Sequence, residues 1–472
     1  MNCLDLKKEA IQTDGITSQK LTVPGSKTWR LKGYPELPKI RENLAIPRGA
    51  LVNYKIVNIE QEKLKIGVPY PSKGDFSRQI DPASVLAKRG DVYFQNTVWL
   101  AKTFTFGDKF QMRKLSGIPF VFSPIQYQTE TQEIIVTKSI TVQIKFKGAK
   151  SFIKGDSTEN SAFLQVYKNR FMNFSQVKKA QGKYKFVEEK GKILYITPKK
   201  WIDEITPLVD WKKQVGFDAE IVSLESLLPP PSQQDEDEDE EDYTYIKKFI
   251  QKSYDEEGLA YVILVGDAKD MPFHPGSSGN AYNNEADPMY TLVDGKDNYP
   301  DLFISRISAN TNDEFKNIVA KTINYEKHPD TRGDWYSKAI GIASEEYNFQ
   351  GGPDSPKDWE RANILKELLL DWDYTDVASF YEPDTDIKAD LIDAINEGAG
   401  FINYIGHGST TSWGTTRFNN RDIENLTNTS MLPFIVSVAC VNGEFANRDS
   451  FAEKWLTLGS ESDPRASESV LL

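Results

Sequence analysis

Apolar and polar positions alternate along much of the first 175 residues. DVYFQNTVWLAKTFTF and EIIVTKSITVQIKFKG repeat a hydrophobic side chain at roughly every second position, the period of an antiparallel strand with one buried face. The expected architecture there is a β-sandwich or meander. From about residue 184 the pattern changes: KILYIT, AYVILVG, DLFISRI, KAIGIAS, GFINYIG and PFIVSVA are unbroken apolar runs separated by helical stretches. Runs of that kind are strands of a parallel sheet covered on both faces. The helices carry start signals of their own. Thr311 and Glu314 have the spacing of a capping box, and Phe315, Ile318, Val319, Thr322 and Ile323 follow on one face. Stretches near 203–214, 245–254, 358–371 and 387–397 have a similar texture.

The expected fold class is therefore α/β, with a β-rich domain over residues 1–183, an α/β subdomain over 184–334 and a second over 335–472. A length of 472 residues supports such a division, because single cores stop growing well below that size. PPPSQQDEDEDEED, residues 229–242, interrupts the first subdomain. Its prolines and unbroken carboxylates favour a solvated loop, with a weak cation sink as the alternative.

Charge and composition narrow the function. The formal net charge of -12 disfavours nucleic acid and anionic membranes as partners. No apolar run is long enough to span a membrane, and MNCLDLKKEAIQTDG lacks the apolar stretch of a signal peptide. Two cysteines, Cys3 and Cys440, give no disulfide framework.

With three histidines and one interior cysteine, few Cys/His pairs are available. His407 follows FINYI and Cys440 follows FIVSVA, each at the carboxyl end of an expected strand, so both emerge on the edge where open parallel sheets place their chemistry. The 32 residues between them allow a crossover, and NNRDIENL supplies a short helix for it. Neighbouring strands lie about 4.8 Å apart, within reach of side chains at their tips. An imidazole that takes the thiol proton makes a nucleophile suited to acyl transfer. The Gly408 and Cys440 N–H groups are candidates for stabilising an oxyanion. A cysteine in an apolar strand is also often an inert small hydrophobe, and residue types alone leave both roles open. His274 in FHPG and His328 in KHPDTRGD fall in expected surface loops without a role. Asp297, Tyr299 and Asp301 alternate in GKDNYPDLF, with Asp267 at a strand end, a set that can hold a hard cation or simply form a turn before a strand.

YIGHGSTTSWG and LPFIVSVACVNGEF resemble the catalytic core of the gingipains, secreted cysteine peptidases of the caspase-like clan that cleave after Arg or Lys. FVEEKGKILYITPKKWIDEITPLVDWKKQVGF, AYVILVGDAKDMP and GIASEE extend the resemblance. YPELPKIRENLAIPRG and YKNRFMNF are similar to the propeptide that precedes that domain. The resemblance implies a caspase-like catalytic domain in a zymogen, with Cys440 as nucleophile, His407 as general acid/base and a carboxylate that orients the histidine. Glu346 matches that carboxylate, with Glu345 one register step away. Catalysis would need no cofactor. The resemblance also implies structural calcium at Asp267, Asp297, Tyr299 and Asp301, and more weakly at Glu453 with the Phe445 carbonyl. It further implies an acidic S1 residue, Asp354 or Asp358, and propeptide removal after Lys183. Expected partners are protein or peptide substrates and the chain's own propeptide, and the expected location is outside the cell or on its surface.

Two departures matter. The family's catalytic domain continues well beyond the nucleophile, whereas here 32 residues follow Cys440 and SESDPRASESVLL loses apolar periodicity. A truncated end, an incomplete sheet and an incomplete start are expected on that basis. Besides an endopeptidase, two readings stay open: a related transpeptidase that attaches proteins to the bacterial surface, and an inactive fragment or binding module.

Overall fold

The computed structural model describes residues 6–75, 80, 84–148, 152, 158–180, 187–229, 241–277, 284–330, 333–346, 356–384, 387–446 and 449–471. They form two compact units. The first comprises Met1–Glu189, Asp294–Tyr299 and Tyr347–Ser355, and the second Lys190–Val293, Pro300–Glu346 and Pro356–Leu472. The first unit thus closes after Glu189, where sequence patterning placed the boundary after Lys183, and among the described residues it also takes in Asp294–Tyr299.

The first unit is β-rich. Strands Leu51–Lys65 and Glu133–Lys147 pair antiparallel along their length, with register shifts between Thr137/Ser139 and Thr141/Val142. Glu133–Lys147 alternates half-buried and exposed positions over much of its length, as its period-two sequence requires. A second sheet pairs Leu115–Phe122 with Pro38–Ile46. Leu21, Leu37, Tyr127 and Ile134 centre one core. DVYFQNTVWLAKTFTF is not one strand. Asp91–Phe94 forms a single helical turn, and Val98–Trp99 and Phe104–Phe106 are short separate strands. Val92 and Tyr93 are adjacent in sequence and both buried, which a strand cannot achieve toward one face.

The second unit contains two parallel sheets. In the first, β1 (Lys192–Thr197), β2 (Asp218–Ser223), β3 (Leu259–Val265) and β4 (Phe303–Ile307) lie in the order β2-β1-β3-β4. They are covered by α1 (Ile202–Gln214), α2 (Asp242–Glu257) and α3 (Asn312–Lys327). Thr311 and Glu314 form the expected capping box of α3. The second sheet holds β5 (Lys338–Ala343), β6 (Asp376–Tyr381), β7 (Phe401–Ile405), β8 (Phe434–Val438) and β9 (Ser469–Leu471), in the order β6-β5-β7-β8-β9. Its helices are α4 (Asp358–Asp371), α5 (Ile387–Asn396), α6 (Asn420–Glu424) and α7 (Phe451–Thr457). Ile340, Ile342, Ile402, Tyr404, Trp413, Phe418, Phe451 and Trp455 fill its core.

The final segment differs from expectation. Ser469–Leu471 pairs in parallel with Phe434–Val436, so the stretch without apolar periodicity still adds a strand beside β8. It is tied to α3 by Lys321, whose buried ammonium donates to the carbonyls of Leu456, Leu458 and Arg465. Hydrogen bonds from a buried cation to carbonyls hold a segment that hydrophobic periodicity cannot reveal.

Candidate active site

Ala343, Ile405 and Val438 are paired across β5, β7 and β8 in register. Three loops therefore leave the sheet at one level. The level extends one residue further, because Ser344 N–H donates to Ile405 O at 3.0 Å and Gly406 N–H to Val438 O at 3.2 Å. His407 and Cys440 each stand two residues beyond their paired position, and Glu346 three beyond its own. Short chain lengths of two or three residues past a shared register are what bring side chains of parallel neighbours within reach of one another.

His407 Nε2 and Glu346 Oε1 are 2.8 Å apart. Glu345 has no such contact; its N–H donates to Glu382 instead. Glu346 is itself fixed by a local network. Its N–H donates to Ser344 Oγ at 3.3 Å, its carbonyl accepts the Asp358 N–H at 2.8 Å, and Ser344 Oγ donates to Asp358 Oδ2 at 2.7 Å. The His407 side chain is half exposed, and Cys440 is a free, exposed thiol. An imidazole tied to a carboxylate through one nitrogen keeps the other for proton exchange.

The backbone around His407 is held from behind. The Tyr404 hydroxyl and the Gly414 N–H both donate to its carbonyl, the latter at 2.7 Å. Burial pushes the Tyr404 phenol above its ordinary pKa, so this donor keeps its proton. After His407 the chain folds back through a hairpin, Gly408–Ser409 with Ser412–Trp413, whose Trp413 is buried against Tyr404, Phe451 and Trp455. Gly408 lies against the Cys440 strand end so closely that a Cβ there would sit 2.4 Å from Cys440 O. Only glycine permits that approach.

Other residues singled out in the sequence lie elsewhere. Asp358 is buried at the start of α4, one hydroxyl from the Glu346 loop, whereas Asp354 and Lys183 fall outside the described residues. Asp297 and Tyr299 belong to the first unit. The Asp297 carboxylate accepts the Gln111 N–H at 2.7 Å and the Tyr299 N–H at 3.0 Å, and the Tyr299 ring stacks on Phe110. Asp267 and Asp301 belong to the second unit, where they accept the N–H groups of Ala268 and Val293. Glu453 sits in the first turn of α7, taking the Ser450 N–H and the Ser308 hydroxyl. The Phe445 ring lies against the Arg306 guanidinium. Calcium wants several oxygens converging on one point. Among the described residues no three His, Cys, Asp or Glu side chains gather in that way, and these carboxylates as placed serve protein donors. The calcium expectation thus rests on resemblance alone.

His274 is not a surface residue. It is half-buried between Tyr243 and Tyr290, and burial lowers its pKa. Sequence reasoning missed Tyr404, Trp413 and Asn442. A signal existed in the polar residues inside apolar runs, Tyr404 of FINYI and Ser437 of FIVSVA, since a polar group in a buried strand needs a partner.

A thiol, an imidazole and a carboxylate at the carboxyl edge of a parallel sheet are the residue types that the cysteine-peptidase class uses. Within it, the chain belongs to peptidase family C25, whose model matches residues 187–461, while the model of the C25 propeptide matches residues 2–181. Gingipain R1 of Porphyromonas gingivalis is 32% identical over 479 residues, covering 99% of this chain and 46% of that protein. Gingipain R2 from strain W83 is 31% identical, with 99% and 62% covered. Lys-gingipain of the same organism is 26% identical over 92% of this chain and 25% of its own length. This chain thus spans about half of the gingipain R1 it matches. Among solved structures, the Arg-specific cysteine proteinase gingipain R aligns with a TM-score of 0.52 at 33% identity, covering 59% of this chain and 62% of that one. The complex of the P. gingivalis RgpB pro- and mature domains aligns with 0.52 at 34% identity, covering 60% and 63%.

Proposed function

We propose that the chain is a cysteine endopeptidase precursor that cleaves peptide bonds after arginine. The observation that carries this is the 2.8 Å contact of His407 Nε2 with Glu346 Oε1, on strand ends in register with that of the exposed thiol Cys440. In the proposed cycle the Cys440 sulfur attacks the scissile carbonyl carbon and His407 takes its proton. The carbonyl oxygen becomes an oxyanion facing the N–H groups of Gly408 and Cys440. His407 returns the proton to the leaving amine, and water then hydrolyses the thioester with His407 as base. Glu346 orients the imidazole and stabilises its charged form.

Arginine is favoured over lysine because the R-type gingipains are 31 to 32% identical and the Lys-type 26%. Asp358 is the proposed S1 carboxylate: it is buried at the start of α4 beside the Glu346 loop, and a substrate guanidinium reaching it would offset its own desolvation by a charge-assisted pair. The β-rich unit corresponds to the C25 propeptide and is the proposed latency element; its proposed release after Lys183 requires either that the enzyme accept lysine as a secondary residue or that a second peptidase make this cut. Structural calcium bound through oxygen ligands stays a proposal from resemblance.

The test is active-site labelling with peptidyl-Arg and peptidyl-Lys chloromethyl ketones, before and after propeptide removal. Stoichiometric adducts on Cys440, faster with arginine and absent in Cys440→Ala, are expected. No labelling of a folded, processed chain would overturn the proposal. A Lys183→Ala chain that matures at the same bond would remove lysine from the processing step.

A further inference from the structure

Asn442 is fully buried two residues after Cys440, and every hydrogen-bonding group of its side chain is used. Its Nδ2 donates to Ser409 O at 2.6 Å and to Ser412 O at 3.1 Å, the two carbonyls that frame the hairpin after His407. Its Oδ1 accepts from Ser437 Oγ at 2.8 Å, and Ser437 Oγ accepts from Trp413 Nε1 at 3.0 Å. Trp413 and Ser437 are buried as well. The Asn442 carbonyl in turn accepts the Ala452 N–H from α7 at 3.0 Å. One amide therefore joins the loop that carries the thiol to the loop that carries the imidazole. The chain Trp413, Ser437, Asn442 forces that amide to present its donors to the hairpin.

Resting on the assignment of Cys440 and His407 as the reacting pair, we propose that Asn442 is a positioning residue that sets the separation of thiol and imidazole. An aspartate of the same shape would put carboxylate oxygen against two carbonyl oxygens and push the hairpin away from the Cys440 loop. An alanine would leave both carbonyls and the Ser437 hydroxyl without their partner. In either case the sheet keeps its strands, while proton exchange between sulfur and imidazole weakens.

The discriminating experiment is alkylation of the full chain by iodoacetamide across pH 5 to 10, in which the thiolate sulfur displaces iodide. Peptide mapping reads Cys440, with Cys3 as the reference thiol. In the parent, Cys440 is expected to react at pH 6 at least about tenfold faster than in His407→Ala, because in the proposed pair the imidazole takes the thiol proton. Asn442→Asp should fall to within a few-fold of His407→Ala at pH 6 and match the parent above pH 9. Thermal unfolding of each variant identifies any that fails to fold. Ser437→Ala, which keeps Asn442 but frees its amide to turn, should shift the same profile by a smaller factor. Folded Asn442→Asp or Ser437→Ala chains with the parent's pH profile, while His407→Ala loses it, would overturn the positioning role alone. A parent profile already equal to that of His407→Ala would overturn the catalytic pair itself.

Discussion

Replacing Gly408 by alanine tests the site at its tightest point. The added methyl would lie 2.4 Å from Cys440 O, 2.9 Å from Ala439 Cβ and 2.9 Å from Asn442 Nδ2. Ordinary carbon contacts begin near 3.5 Å, so the Gly408 and Cys440 backbones must part by about 1 Å. Neither side can yield by rotating a flexible side chain. The Cys440 atom is backbone, and Asn442 is locked by four hydrogen bonds. His407 immediately precedes Gly408 and moves with it. A 1 Å misplacement of reacting groups costs on the order of 100-fold in rate. Overpacking of this kind costs about 1–3 kcal/mol of stability, a fall of several degrees in Tm for a unit of this size. The assay is kcat and KM on a peptidyl-arginine amide with the processed enzyme, normalised by active-site titration, beside a thermal melt. A kcat lower by about 100-fold with KM changed severalfold at most is expected. A folded Gly408→Ala enzyme with kcat within threefold of the parent would refute the claim that this contact sets the catalytic geometry.

Glu346→Gln keeps the hydrogen bond to His407 but removes the charge, and is expected to lower kcat by roughly 10- to 100-fold. Glu345→Gln should stay within twofold, and equal losses in the two variants would undo the assignment. Asp358→Asn is expected to raise KM for arginyl substrates about 100-fold while sparing those with a neutral residue before the scissile bond, a comparison that steady-state kinetics makes directly. Burial pushes the Glu468 carboxyl up to about 7, so the stability it contributes is full below its unfolded value near 4.5 and is lost as pH rises through about 7. Burial lowers the nearby Lys321 ammonium to about 8, so its contribution is full above 10.5 and is lost as pH falls through about 8. Glu468→Gln should therefore flatten the pH dependence of Tm between 4.5 and 7, a change on the order of 3 kcal/mol in unfolding free energy, and an unaltered slope would contradict the burial argument.

The parts of the molecule legible in the sequence were those that hydrophobic periodicity controls. The apolar runs KILYIT, KAIGIAS, FINYI and FIVSV are strands of the two parallel sheets, and the capping box at Thr311 marks the start of a helix. The strand-end positions of His407 and Cys440 were legible from the same apolar runs, while their role as a reacting pair, which scarcity suggests, stays a proposal. What stayed hidden depends on hydrogen bonds between residues far apart in the chain. Ser469–Leu471 has no strand-like pattern, yet β8 offers a free edge and Lys321 gathers the carbonyls leading to it. DVYF has strand-forming residues but turns helically because two adjacent side chains reach the core.

The site shows the same division at finer grain. Periodicity places Ile405 and Val438 opposite one another, which brings the two loops to a common level but does not fix their separation. That separation is set by side chains that patterning treats as exceptions: Gly408 with no Cβ, Ser437 inside an apolar strand, and Asn442 buried in a loop. A hydrophobic residue at 437 or 442 would suit the surrounding core better by polarity alone. It would also remove the hydrogen bonds that tie the Cys440 loop to the His407 hairpin. Polar residues in a buried setting mark where a specific geometry is worth more to the protein than apolar burial, and here they join the loop of the thiol to the hairpin that follows the imidazole.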